Sequence, residues 1–143
     1  VQKFDLDNFL PYQLAVLAGR VSLAFSRTYR EKFGISIAEW RVIAHLSQRE
    51  KISIREIYQR VELDKSKVSR AAARLVRAGY VQKVVNQSDK RLVELSLTKS
   101  GRAMTAEIVI LAAEFESGFL SSLNKRELAG FKAALGNLME QDL

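Results

Sequence analysis

The chain has 143 residues, of which 48% are hydrophobic, with one Pro, 7 Gly and no Cys. Length and apolar content support one domain with a real core and exclude a disordered or low-complexity chain. The lack of Cys excludes a disulfide framework, a cysteine zinc site and a thiol redox switch, while a formal charge of +7 points to an anionic partner.

The first helix is predicted over residues 10–32. Pro11 suits its first turn and Gly34 stands where it would stop. Ser36 and Glu39 form the pattern of a capping box for a second helix over 37–48, and Ser53 and Glu56 form another for a third over 54–60. Asp64 caps a fourth helix, 65–78, which Gly79 ends. Residues 79–98 change period. Val81–Val85 is short and β-branched, Asn86–Lys90 has turn chemistry, and Val93, Leu95 and Leu97 alternate with Glu94 and Ser96. This predicts a two-stranded hairpin. Thr98 caps a helix over 99–121, and Asn124 with Glu127 starts the last, 125–141. The expected fold is mainly α (α+β): a winged helix-turn-helix over 36–98, with long helices in 1–35 and 99–143, all within a single domain. The longest wholly apolar run, residues 108–113, is six residues, far short of a membrane span. No basic-then-apolar pattern opens the chain. A cytoplasmic protein without a membrane partner is expected.

The charge is concentrated. Residues 64–91 hold eight of the 23 cations and two of the 16 anions, a net +6 of the +7. On a helical wheel, Val68, Ala71, Ala72, Leu75 and Val76 share one side. Ser66, Arg70, Ala73, Arg74 and Arg77 share the other, with Lys67 and Ser69 at its margins. No acid follows Asp64 within this helix, so its outer face is read as lacking counter-charge. Such a face fits double-stranded DNA: small residues admit close approach, and Ser and Arg can bond base edges or phosphates. At the hairpin tip, Arg91 can enter a minor groove, with Lys90 beside it and Asp89 orienting the guanidinium.

Leu63 to Arg70, then Leu75 and Gly79-Tyr80-Val81, resemble the recognition-helix region of the MarR family. Asp89 to Thr98, closed by Gly101, resembles that family's D-x-R-x(5)-L-T-x-x-G wing signature. Ile35 to Trp40 resembles the start of its second helix. The resemblance implies a homodimeric transcription regulator on a pseudo-palindromic operator, repressing until a small ligand releases it. It implies base or phosphate contacts from Ser66, Lys67, Ser69, Arg70 and Arg74, and a minor-groove contact from Arg91 oriented by Asp89. Arg77 and Lys90 complete the expected DNA-binding set.

The outer helices carry apolar stripes: Leu14, Leu17, Val21 and Phe25; Met104, Ile108, Leu111, Phe115 and Phe119; Leu128, Phe131, Leu135 and Leu138. A small central module cannot bury all three, so pairing with a second copy is expected. Two-fold symmetry would set two recognition helices roughly 34 Å apart. The family resemblance also implies a ligand cleft, for an aromatic acid or an acyl-thioester, where Phe25, Tyr29, Trp40 and His45 would supply stacking and a hydrogen bond and Arg20 or Arg41 would hold a carboxylate. The alternative is a ligand-independent architectural or activating DNA-binding protein. With one His, no Cys, no phosphate loop and no nucleophile elbow, neither catalysis nor a metal or cofactor is expected.

Overall fold

The structure, a computed structural model, describes residues 2–61, 63–89 and 92–143. The chain divides into two compact units, Val1–Val109 and Ile110–Leu143.

The first unit opens with a 3₁₀ turn, Leu6–Asn8, followed by α1, Leu10–Phe33. Gly34 closes α1 in the left-handed region at φ 68°, its N–H returning to the Arg30 carbonyl. A side chain there would be strained, which is why Gly stops the helix. Next come α2, Ile37–Leu46, strand β1, Ile52–Ser53, α3, Ile54–Arg60, and α4, Lys65–Arg77. Strands β2, Val81–Val85, and β3, Val93–Leu97, precede α5, Lys99–Leu120. The sheet is antiparallel in the order β1-β3-β2. The predicted two-stranded hairpin is thus a three-stranded sheet. Ile52 pairs with Leu95 and Ser53 with Glu94, and buried Ile52 anchors the extra strand in the core. Two residues show no sequence period, so β1 left no signal to read.

Of the five predicted side-chain N-caps, those of Ser36, Asp64, Thr98 and Asn124 form as expected, and that of Ser53 forms by half. Ser36 and Glu39 satisfy each other's backbone donors at α2. Asp64 accepts from the Lys67 N–H at 2.9 Å, and Thr98 accepts from the Gly101 N–H at 3.0 Å. At α3, Ser53 accepts from the Glu56 N–H, but the Glu56 carboxylate turns away to Arg49 at 2.9 Å. A charged donor outbids a backbone amide for that carboxylate.

The core gathers Tyr29, Val42, Ile43, Ile57, Val68, Leu75, Val81, Leu95 and Ile108, each at most 2% exposed. α4 ends in a Schellman turn: Tyr80 N–H bonds to Leu75 C=O at 3.0 Å and Gly79 N–H to Val76 C=O at 3.1 Å, with Gly79 at φ 85°. The outer stripe of α5 splits. Met104 and Ile108 join the core, whereas Phe119 is exposed.

The second unit holds the end of α5, where Phe115 and Phe119 stack at 6.3 Å, and α6, Lys125–Met139. Asn124 and Glu127 form a complete capping box there. Phe131, Leu135 and Leu138 on α6 are all exposed. No helix among the described residues is long and apolar enough to cross a membrane.

Candidate nucleic-acid interface

α4 presents two chemically opposite faces. Val68, Ala71, Ala72 and Leu75 are buried, while Lys65, Ser66, Lys67, Ser69, Arg70, Arg74 and Arg77 are exposed. Ala73 and Val76 lie between, half-buried. Burying the four small and branched side chains against the core leaves the cations no direction but outward. Among the described residues, Lys65, Lys67, Arg70 and Arg77 form no ion pair. Arg74 differs. Its Nη2 lies 3.8 Å from Oε1 of Glu39, a carboxylate only 3% exposed on α2. The expected absence of counter-charge therefore fails at one position, because the acid comes from a neighbouring helix that the wheel of α4 does not contain.

The helix start is electrostatically set. The Ser66 hydroxyl donates to Asp64 Oδ1 at 2.7 Å. That bond, the Lys67 amide and the nearby Lys67 and Arg70 charges hold the Asp64 carboxyl below its ordinary pKa. Ser66 thus faces outward with its proton committed to the cap and its lone pairs available as acceptors.

The hairpin tip is organised by Asn86, which the sequence reading passed over as generic turn chemistry. Its Oδ1 accepts from the Ser88 and Asp89 amides at 2.8 and 3.0 Å, and its Nδ2 donates to Glu94 at 2.9 Å. This is an Asx turn, the reason Asn is common at such tips. Asp89 is half-buried. Lys90 and Arg91 lie outside the described residues.

The six residues expected around a ligand lie mainly along α1 and α2. Phe25, Tyr29 and Trp40 pack on one another: Phe25 meets Tyr29 and Trp40 edge-on at 5.3 and 5.8 Å, and Tyr29 stacks on Trp40 at 5.6 Å. Burial pushes the Tyr29 hydroxyl up to about 12, against the opposing charges of Arg41 and Arg30. His45 Nδ1 lies 2.7 Å from the Arg41 carbonyl one turn back, and Arg20 is exposed. A separate open cleft of about 700 Å³ is lined by Leu46, Leu97, Arg102, Thr105, Ala106 and Val109 among others, and by none of those six.

A helix-turn-helix with a basic outward face beside a hairpin matches known proteins along most of its length. The MarR family pattern matches residues 33–92. The chain is 30% identical over 115 residues to the HTH-type transcriptional repressor MdtR of Bacillus subtilis, covering 78% of this chain and 74% of that protein. The chain belongs to the MarR family. It is therefore a DNA-binding transcription regulator and not an enzyme. A second relative, the HTH-type transcriptional regulator PecS of Dickeya dadantii, is 28% identical over 140 residues, 94% of this chain and 84% of that one. The MarR fold itself is shared with a MarR/EmrR family regulator from Acinetobacter sp. ADP1, at a TM-score of 0.82 and 29% identity over 95% of this chain and 96% of that chain.

Proposed function

We propose that this MarR-family protein is a homodimeric repressor that reads a pseudo-palindromic operator and is released by a small ligand. In this reading residues 36–98 are the DNA-binding lobe, and residues 1–35 and 99–143 supply the dimerisation helices. Ser66, Lys67, Ser69, Arg70, Arg74 and Arg77 meet the major groove and its phosphates, and Asp89, Lys90 and Arg91 serve the adjacent minor groove.

The observation that carries the reading is the outward face of α4, five exposed cations opposite a face on which Val68, Ala71, Ala72 and Leu75 are buried. Polyanion binding resolves their mutual repulsion, and an α-helix fits the major groove. Dimerisation is supported by the exposed apolar side chains of α1 and α6, among them Leu14, Leu17, Leu135 and Leu138. Repression is supported by the similarity to MdtR, named a repressor. For the ligand, an aromatic acid or acyl-thioester, the reading takes Arg20, Phe25, Tyr29, Trp40, Arg41 and His45, of which Arg41 is near enough to Tyr29 for its charge to act on the Tyr29 hydroxyl. A wedge there would change the separation of the two recognition helices.

Selection of bound duplexes from a random library at physiological salt tests the DNA reading. Recovery of an inverted repeat with half-sites about 10 bp apart is the expected result. Binding without a shared motif would favour an architectural protein. Calorimetric titration with aromatic acids and their coenzyme A thioesters tests release; no heat alongside intact operator binding would mean a ligand-independent regulator.

A further inference from the structure

Glu39 occupies an unusual place for a carboxylate. It is 3% exposed, and its oxygens already serve the α2 cap: Oε1 and Oε2 lie 3.4 and 3.5 Å from the Ser36 N–H, and the Ser36 hydroxyl donates to Oε2 at 3.2 Å. Those contacts, together with its burial, hold the carboxylate at the start of α2. From there it faces Arg74, whose side chain is 60% exposed, at 3.8 Å. The pair lies between two surface recesses. Lys67 and Arg70 line one of about 230 Å³, and Arg77 lines the other of about 340 Å³; Glu39 and Arg74 line both.

We propose that Glu39 is a positioning residue for operator recognition, anchoring Arg74 so that this cation reaches one backbone phosphate and not whichever is nearest. This rests on α4 being the DNA-reading helix. In a helix-turn-helix the N-terminal residues of the recognition helix meet base edges. Arg74 lies in the last turn of α4, so its partner is a phosphate, and phosphate contacts set register. Arginine suits the task because its planar fork can hold the carboxylate through one nitrogen and offer the others outward. The cost of a buried acid beside a polyanion is offset by register. An untethered Arg74 would bind any duplex but favour none, whereas a tethered one rewards the geometry that delivers a phosphate to it.

The test is a double-mutant cycle with Glu39→Gln, Arg74→Ala and both together. Each protein is titrated with a duplex carrying the selected inverted repeat and with a shuffled duplex of equal composition. Glutamine retains an acceptor for the Ser36 N–H but carries no charge. Glu39→Gln is expected to lower the preference for the repeat by about three- to tenfold, a coupling typical of contacting charged groups, with the shuffled duplex bound at least as tightly as before. In the Arg74→Ala background the same change should leave the preference where it was. An unchanged preference in the single variant, or an equal loss in both backgrounds, overturns the proposal. Arg74→Lys, which keeps the charge but loses the fork, should reproduce the loss and provides the answer if Glu39→Gln does not fold; an intact preference in Arg74→Lys likewise overturns it. If Arg74→Ala and Arg70→Ala both bind every duplex as the unaltered protein does, it is the DNA-reading role of α4 that fails.

Discussion

The Thr98 hydroxyl donates a 2.6 Å hydrogen bond to the carbonyl of Gly79, nineteen residues earlier in the chain. The same oxygen accepts from the Gly101 N–H at 3.0 Å. One side chain thus ties the C-terminal turn of α4 to the N-terminal turn of α5. The Thr98 N–H adds a bond to the Tyr80 carbonyl at 3.0 Å. Thr98→Val keeps the shape and removes both hydroxyl bonds. Losing the cap and the tie should cost about 1–2 kcal/mol, seen as a fall of roughly 3–6 °C in the melting midpoint.

Gly101 is required by close approach. A Cβ there would run into the carbonyl oxygen of Tyr80 and press on Leu97 Cδ2 at 3.3 Å. The obstacle is backbone, held by the Schellman turn of α4, so it cannot swing aside. Gly101→Ala should destabilise by about 1–3 kcal/mol, despite Ala being the better helix former. Urea unfolding checks this; an unchanged or higher midpoint would mean that α5 shifts freely away from Tyr80.

Asp64 gives the start of α4 a pH dependence. Its folded pKa is depressed, chiefly by the Ser66 hydroxyl and then by the Lys67 amide. A depressed carboxylate contributes stability above its unfolded pKa of about 3.9 and loses it as pH falls through the folded value. Asn also caps helices well but does not titrate in this range. The stability gap between the unaltered protein and Asp64→Asn should therefore be constant near neutrality and shift against the unaltered protein below pH of about 4. Urea midpoints of both across that range measure it, and parallel curves would remove Asp64 from the account.

Most of this architecture was legible because its boundaries are written in local chemistry. Ser36, Asp64, Thr98 and Asn124 open helices and Gly34 and Gly79 close them, each acting within four residues of its partner. What escaped depends on residues distant in sequence. β1 exists only through Leu95 and Glu94. Glu56 leaves its expected capping partner for Arg49, seven residues away. The counter-charge of Arg74 stands on α2. Phe25, Tyr29 and Trp40, grouped as the wall of a ligand cleft, pack face and edge against one another, an arrangement that hydropathy cannot distinguish from a pocket wall.

Arg70 and Lys90 should separate reading from gripping. Arg70 is exposed on the outward face of α4 at a position suited to base edges, so Arg70→Ala should relax base preference, at about 1–3 kcal/mol of discrimination. A cation that meets only phosphate should weaken all duplexes alike and lower the salt slope by about 1; that is the outcome expected for Lys90→Ala. Titration of selected and shuffled duplexes at several salt concentrations distinguishes the two. Equal behaviour of both variants would mean that α4 contributes charge and no sequence reading.

The exposed apolar side chains on α1 and α6 provide the test of assembly. Leu17 is 42% and Leu135 41% exposed, so Leu17→Glu and Leu135→Glu remove little from the chain's own core, and substitutions at such positions are expected to change its intrinsic stability by only about 0.5 kcal/mol. In a dry interface between copies the same charges would be desolvated without a partner, a cost that drives dissociation. Sedimentation should therefore show a dimer for the unaltered protein and a monomer for the variants, with helix content retained. DNA binding supplies a second readout. If a dimer neutralises about 8–10 phosphates, log affinity falls against log salt with a slope near −0.9 per phosphate, and a monomer should show about half that slope. Variants that remain dimeric and keep the full slope would place the interface on another surface; a monomeric parent with the full slope would mean that one copy grips the whole site.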